Sequence, residues 1–453
     1  VNDHQRPESP ARAALFTDLY ELTMAQAYLA EGMEGPAVFE LFFRELPPTR
    51  GYFLAAGLEQ VLDYLECWRF TAGDREYLAG QGQFSEWFLD RLMDLSFTGE
   101  VWALPEGTPV FPGEPLVQVV APLAEAQLVE TLVLNQVHFQ TIAATKASRV
   151  VQAAGGRAVV DFGSRRAHGL DAALKVGRVC YLAGCAGTSN VQAGKEYGVP
   201  VFGTMAHSYV QAHDRERQAL EAFARQYPET TLLVDTYDTL EGVDLVIDLA
   251  SRLGEDFRVR AVRLDSGDLA ELAAAARAKL DGAGLERVKI FASSGLDEHK
   301  ISQLLAAGAP IDGFGVGTRL AVSPDATDLD MAYKLVAYDG RGRMKLSSDK
   351  LIHPGRKQVF RREDNGALAG DTVGRFDETL EGEPLLRRVM AGGRRTDHGR
   401  ESLEEMRSRA ARERERLPRG VRALRDPAPY PVEMSPGLQA DLESLRRELE
   451  AGH

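Results

Sequence analysis

Cysteine and tryptophan are both scarce, with three of each among 453 residues. Cys67, Cys180 and Cys185 form neither a CxxC nor a Cys/His zinc spacing, which argues against a disulfide framework or a structural zinc site. No apolar run reaches the roughly 18 residues that a membrane-spanning helix needs. The first residues, "VNDHQRPESPARAALF", lack the apolar stretch of a secretory signal. Positive charge is in deficit, with 53 basic against 67 acidic residues and a formal net charge of -14. General affinity for nucleic acid or an anionic membrane is therefore not expected, although a local basic pocket fits that balance. There is no GxxxxGK[ST] loop and no strand-linked GxGxxG, so a nucleotide would need another cradle. A cytoplasmic, soluble, reduced protein of two or three domains is the expectation.

Residues 1–14 read as a disordered lead-in. "FTDLYELTMAQAYLAEG" follows as an amphipathic helix, capped by Thr17 or Asp18 and stopped at Gly32. "AVFELFFREL" reads as a strand and "GYFLAAGLEQVLDYLECW" as a helix. Between Gly99 and Pro122, β-rich pieces alternate with Pro-Gly turns, as in a small all-β unit. A long apolar helical stretch then leads to a new rhythm. Seven short apolar runs each end in a polar cluster and pass into a helical segment: "AVVDFGSRR", "LAGCAGTSN", "VPVFGTMAHS", "LLVDTYDTLEG", "VRAVRLDSGD", "VKIFASSGLDE" and "IDGFGVGTRL". Repeated βα units with buried-type strands predict a parallel sheet, closed as an irregular (β/α) barrel over 136–325. The flanking segments, 15–135 and 326–453, are expected to build one α+β domain from both parts of the chain, ending in charged helices.

In such a barrel the polar clusters converge on one mouth. His207 comes after the strand-like "VPVF" by way of Gly203 and Thr204, a placement suited to phosphate chemistry and equally to a histidine satisfied under a loop. Gly313, Gly315, Gly317 and Thr318 in "GFGVGTRL", with Ser293, Ser294 and Gly295 in "SSGLDE", would let backbone N–H groups approach a phosphate. Arg263, Asp265 and Asp268 pair an anion-reading fork with carboxylates for sugar hydroxyls or hydrated Mg2+, or else form a structural ion pair. Phe162, Arg165 and Arg166 set an aromatic face beside two cations, so the mouth is cationic within an acidic protein.

Together "FTDLYELTMAQAYL", "FGSRRAHG", "GTSNVQAGKEYGVPVFGTMAHSY", "RLDSGDL", "GVGTRL" and "MKLSSDKLIHPGRKQVFR" resemble the nicotinate phosphoribosyltransferases over about residues 15–435. The resemblance implies synthesis of nicotinate mononucleotide and pyrophosphate from nicotinate and phosphoribosyl pyrophosphate (PRPP), coupled to ATP hydrolysis, in NAD salvage. It implies that His207 is transiently phosphorylated and that Asp265 is a ribose or metal contact. Tyr20, Phe162, Arg165, Thr204 and Arg263 would bind nicotinate, with Tyr20 supplied by the other subunit of a homodimer. Ser294, Gly295, Gly317 and Thr318 would cradle the 5′-phosphate. Lys345, Lys350 and Lys357 lie in a basic loop that would reach the pyrophosphate, or form a solvated hairpin. Mg2+ would arrive with the substrate, without direct protein ligation.

Nicotinamide and quinolinate phosphoribosyltransferases are the rival enzymes, and an inactive scaffold the rival of another class. Ser189, where nicotinamide-using relatives place an acid, favours a carboxylate substrate by not repelling it.

Overall fold

The computed structural model describes residues 14–346 and 352–451. Contacts divide them into two compact units, one within Val1–Thr145 and Ala326–His453, the other Lys146–Asp325.

The first unit is built on an antiparallel sheet of seven strands, in the order 341–342, 331–338, 36–43, 117–122, 100–103, 387–391 and 394–395. The β-rich stretch expected to stand alone between Gly99 and Pro122 is thus part of a larger sheet. Its inward side chains need partners that its own short strands cannot supply, and Pro36–Phe43 and Arg387–Ala391 provide them. Phe39 stacks on Tyr333 at 5.0 Å across one of these strand pairs. The helix expected over 51–68 is shorter. Phe53–Leu54 is a strand, Gly57 turns with φ of 97°, and the helix runs Leu58–Cys67. A Cβ on Gly57 would come within 2.3 Å of the Gln136 carbonyl, so this turn admits no side chain. The first helix is Leu19–Ala30. Asp18 stands at its N-cap, but its side chain makes no capping bond there, and Thr17 donates to the buried Glu21 instead.

The second unit holds the expected parallel strands, joined into one curled sheet. We number them β1 (Ala158–Asp161), β2 (Gly187–Thr188), β3 (Thr231–Leu233), β4 (Ala261–Leu264), β5 (Lys289–Ala292) and β6 (Gly313–Val316). Their spatial order is β2-β1-β6-β5-β4-β3, all parallel. The remaining run, "VPVFGT", third in chain order, contributes only a single parallel bridge between Thr188 and Val201. Among the described residues no ladder joins that segment to β3, so the sheet is a half-barrel with an open side. Buried runs of Val, Leu and Ile on these strands meet helices whose starts repeat one device. Asn190, Asp238, Asp268 and Asp297 each accept two backbone N–H groups at the head of the following helix.

Candidate active site

Strand register brings the polar clusters together. Leu264 pairs with Ala292 and Val316 with Asp161, so Asp265, Ser293, Gly317 and Phe162 leave the sheet at neighbouring C-terminal ends. Arg263 stands at the centre. Its Nε donates to Ser293 at 2.9 Å and its Nη1 to Thr204 at 3.0 Å, while Nη2 meets Asp265 at 3.1 Å. The guanidinium also lies 5.6 Å from the centroid of the Phe162 ring. Four neighbours from four segments therefore fix one planar cation, only 14% exposed, beside an aromatic face.

Asp265 links this cation to His207. One carboxylate oxygen faces Arg263 and accepts from Ser293; the other lies 3.7 Å from His207 Nε2. Burial pushes its pKa up, but the Ser293 hydroxyl, then Arg263 and His207, outweigh that and hold the carboxyl below its ordinary value. The far side of the imidazole rests against Thr236, with Nδ1 3.2 Å from its hydroxyl oxygen. His207 opens a short helix at the open side of the half-barrel, and its side chain is 38% exposed.

Asp235 supports this group from beneath. Its Oδ2 accepts from the Asp265 backbone N–H at 2.7 Å and from Ser266 at 2.6 Å, and its buried Oδ1 has no hydrogen-bond partner. Asp235 and Thr236 were not singled out from the sequence, although they follow β3 as His207 follows its own strand. Ser293 also has a different role from the phosphate donor expected of it, because it is buried and spent on Arg263 and Asp265.

Asp268 is likewise spent, on capping the helix Leu269–Gly282. The cradle residues remain open. Ser294 is exposed with φ of 91° and Gly295 has φ of 56°, so two successive residues take the left-handed region. The Thr318 hydroxyl accepts from Arg166, not Arg165, at 3.1 Å, and Arg165 is exposed. Gly313 and Gly315 are not open to a ligand. A Cβ on Gly315 would lie 2.5 Å from the Phe162 ring and one on Gly313 2.9 Å from Phe291. These glycines let aromatic rings lie across β6.

Glu298, His299 and Asp325 have metal-ligand proximity, but Lys146 contacts Glu298 at 2.6 Å and Asp325 at 2.7 Å, and Arg149 meets Glu298 at 3.0 Å. Lysine and arginine already supply the positive charge that an ion would bring.

The chain matches three family models. One describes the nicotinate phosphoribosyltransferase N-terminal domain, over residues 15–138, one the family itself, over 157–346, and one the C-terminal domain, over 356–442. Nicotinate phosphoribosyltransferase pncB2 of Mycobacterium tuberculosis is 62% identical over 96% of this chain and 94% of its own length. The chain belongs to the nicotinate phosphoribosyltransferase family. The Bacillus subtilis nicotinate phosphoribosyltransferase is 44% identical over 83% of the chain and 78% of its own length. A crystal structure of the human nicotinic acid phosphoribosyltransferase superposes with a TM-score of 0.83 at 32% identity, covering 95% of this chain and 99% of that one.

The remaining residues expected at the site lie in the other unit. Tyr20 is exposed near the start of the helix Leu19–Ala30. Lys345 is exposed beyond the strand Arg341–Gly342, and Lys350 lies outside the described residues. Lys357 corrects its expectation. Its side chain is 3% exposed and its ammonium donates to Glu40 at 2.7 Å and to the Gly355 carbonyl at 3.1 Å. A lysine so enclosed is a structural cation, not a pyrophosphate ligand. Among the described residues no helix is long and apolar enough to cross a membrane.

Proposed function

We propose that this chain joins nicotinate to PRPP at the strand ends of the half-barrel, releasing pyrophosphate, and couples the reaction to ATP through His207. The observation that carries this reading is Arg263, locked by Thr204, Ser293 and Asp265 against Phe162. A fixed fork beside an aromatic ring suits a flat aromatic carboxylate, which it can bind at the ring face and at the charged end. Phe162 is read as one face of a sandwich and Tyr20, from a second copy in a homodimer, as the other. Thr204 and Arg165 complete the nicotinate contacts. Ser294, Gly295, Gly317 and Thr318 receive the 5′-phosphate, and Lys345 and Lys350 reach for the pyrophosphate.

Glycosyl transfer through an oxocarbenium-like ribose asks the protein chiefly for positioning and charge. Mg2+ carried in with PRPP would neutralise charge on the leaving pyrophosphate. Asp265, whose side chain is 27% exposed, is read as accepting hydrogen bonds from the ion's water shell or from ribose hydroxyls. In the coupling step an imidazole nitrogen of His207 forms a bond to the γ-phosphorus of ATP as the bond to the bridging oxygen breaks and ADP leaves with that electron pair. Water later takes the phosphoryl group to give phosphate. Thr236 and Asp265 hold the ring from its two nitrogen sides, and the carboxylate stabilises the positive charge of the phosphorylated imidazole. The enzyme is read as cytoplasmic.

The test is product mass and ADP release with nicotinate, PRPP, Mg2+ and ATP, for the wild type and His207→Ala. Nicotinate mononucleotide should form in both, faster in the wild type, and ATP hydrolysis should accompany it in the wild type alone. An alanine variant that still hydrolysed ATP in step with product would remove His207 from the coupling step.

A further inference from the structure

A cavity of about 440 Å³ opens beside the cradle loop after β5, lined by Gly267, Ser294, Leu296, Lys300 and Gln303 among others. Lys300 is exposed in the first turn of the helix Glu298–Ala306. Its ammonium has no carboxylate partner among the described residues, whereas Arg263 and Lys146 each face at least one. It points to the cradle, with Nζ 3.5 Å from the position that a Cβ on Gly295 would occupy. Gly295 therefore leaves space that an ammonium and a small anion can share. The loop itself offers only neutral donors, the Ser294 hydroxyl and backbone N–H groups, and a phosphomonoester carries close to two negative charges at neutral pH.

We infer that Lys300 brings a positive charge to the Ser294–Gly295 side of the phosphomonoester cradle, contacting the 5′-phosphate of PRPP and not its pyrophosphate. The inference rests on the cradle assignment of the proposed function and adds a residue from the next helix to it. An ammonium at this place acts as a point charge on a flexible stem, so arginine should replace it better than any neutral side chain. Its pull on an exposed phosphate should weaken as salt rises.

The experiment is calorimetric titration with ribose 5-phosphate, and separately with pyrophosphate, on the wild type, Lys300→Gln and Lys300→Arg. Ribose 5-phosphate should bind roughly tenfold more weakly to K300Q, the loss of about one charge-assisted hydrogen bond. K300R should recover most of that affinity, and pyrophosphate should bind all three alike. In steady-state assays K300Q should raise KM for PRPP by a similar factor and leave kcat and KM for nicotinate unchanged. Equal ribose 5-phosphate affinity in K300Q and wild type, or an equal loss for pyrophosphate, would overturn the inference. A wild type that binds ribose 5-phosphate in a Lys300-dependent way but forms no nicotinate mononucleotide would refute the proposed reaction and leave the cradle residue standing.

Discussion

His207 and Asp265 face each other across 3.7 Å, imidazole Nε2 to carboxylate Oδ2, and the same carboxylate holds Arg263 through its other oxygen. One aspartate thus joins the group proposed to take a phosphoryl from ATP to the group proposed to read the carboxylate of the base. Asp265→Asn keeps the shape and removes the charge. It should lower ATP-coupled kcat by roughly a hundredfold, the scale of losing one preorganised electrostatic contact. Because the native carboxyl titrates below its ordinary range, its stabilising contribution is present above the unfolded pKa and lost as pH falls through the native one. Urea melts at several pH values should show the wild type's advantage over the variant near neutrality and its disappearance on acidification below about pH 4. An advantage that grew on acidification would contradict the ion-pair network.

Gly315→Ala tests whether the Phe162 ring position matters for the base. The added Cβ would meet the ring at 2.5 Å, inside a buried strand where the backbone cannot yield. Overpacking of this kind costs about 1–3 kcal/mol of stability. The displaced ring should also raise KM for nicotinate several-fold while KM for PRPP changes little. Unchanged nicotinate kinetics in a folded variant would detach Phe162 from the base.

Much of this site was legible because strand ends are marked in sequence. Each short apolar run gives way to a polar cluster, four of them with an Asp or Asn cap, and the parallel topology then gathers Phe162, Arg263, Asp265 and Gly317 without further information. Residue identity did not reveal which way each side chain is spent. Gly313 and Gly315 look like phosphate-loop glycines, yet they make room for rings from β1 and β5. Ser293 and Asp268 look like ligand contacts, yet one braces Arg263 and the other caps a helix. Lys357 sits in a basic stretch, but its strand turns it inward to Glu40 on another strand, distant in sequence. Such pairings depend on tertiary neighbours that local pattern does not encode.

Lys357→Gln should therefore behave as a stability variant. The pair with Glu40 is nearly closed to solvent, and removing one partner strands a buried carboxylate, at a cost of about 3–5 kcal/mol. Burial already pushes the Glu40 carboxyl up in pKa against the pull of Lys357, so the variant should bind a proton there. Denaturant midpoints should fall well below wild type, with KM for PRPP unchanged in the folded fraction. A normal midpoint with a raised KM would return Lys357 to the pyrophosphate.

Selectivity for the acid over the amide should follow from Arg263. Replacing the substrate carboxylate by an amide loses a charged contact in a part-buried site, roughly 2–5 kcal/mol, so nicotinate should exceed nicotinamide in kcat/KM at least tens-fold. Arg263→Lys should erase most of that preference, because an ammonium cannot keep the Ser293, Thr204 and Asp265 contacts together. Equal turnover of both bases by the wild type would refute the assignment.

Tyr20 gives the last test. It stands exposed with Phe16 and Leu19 around the start of one helix, three large apolar side chains at 47%, 46% and 52% exposure. Such a cluster suits a surface that a second copy covers, and the family resemblance has Tyr20 serving the neighbouring subunit's base. Two-fold symmetry would then create two identical shared sites. Tyr20→Ala and His207→Ala should each abolish ATP-coupled product formation in pure form. After subunit exchange, a mixed dimer has one site with both lesions and one with neither if Tyr20 acts in trans, so activity should return towards half of wild type in such dimers. Were Tyr20 to serve its own subunit, each site of the mixed dimer would keep one lesion and both would stay inactive. Isolating the mixed dimer with two different affinity tags before assay makes the two outcomes distinct.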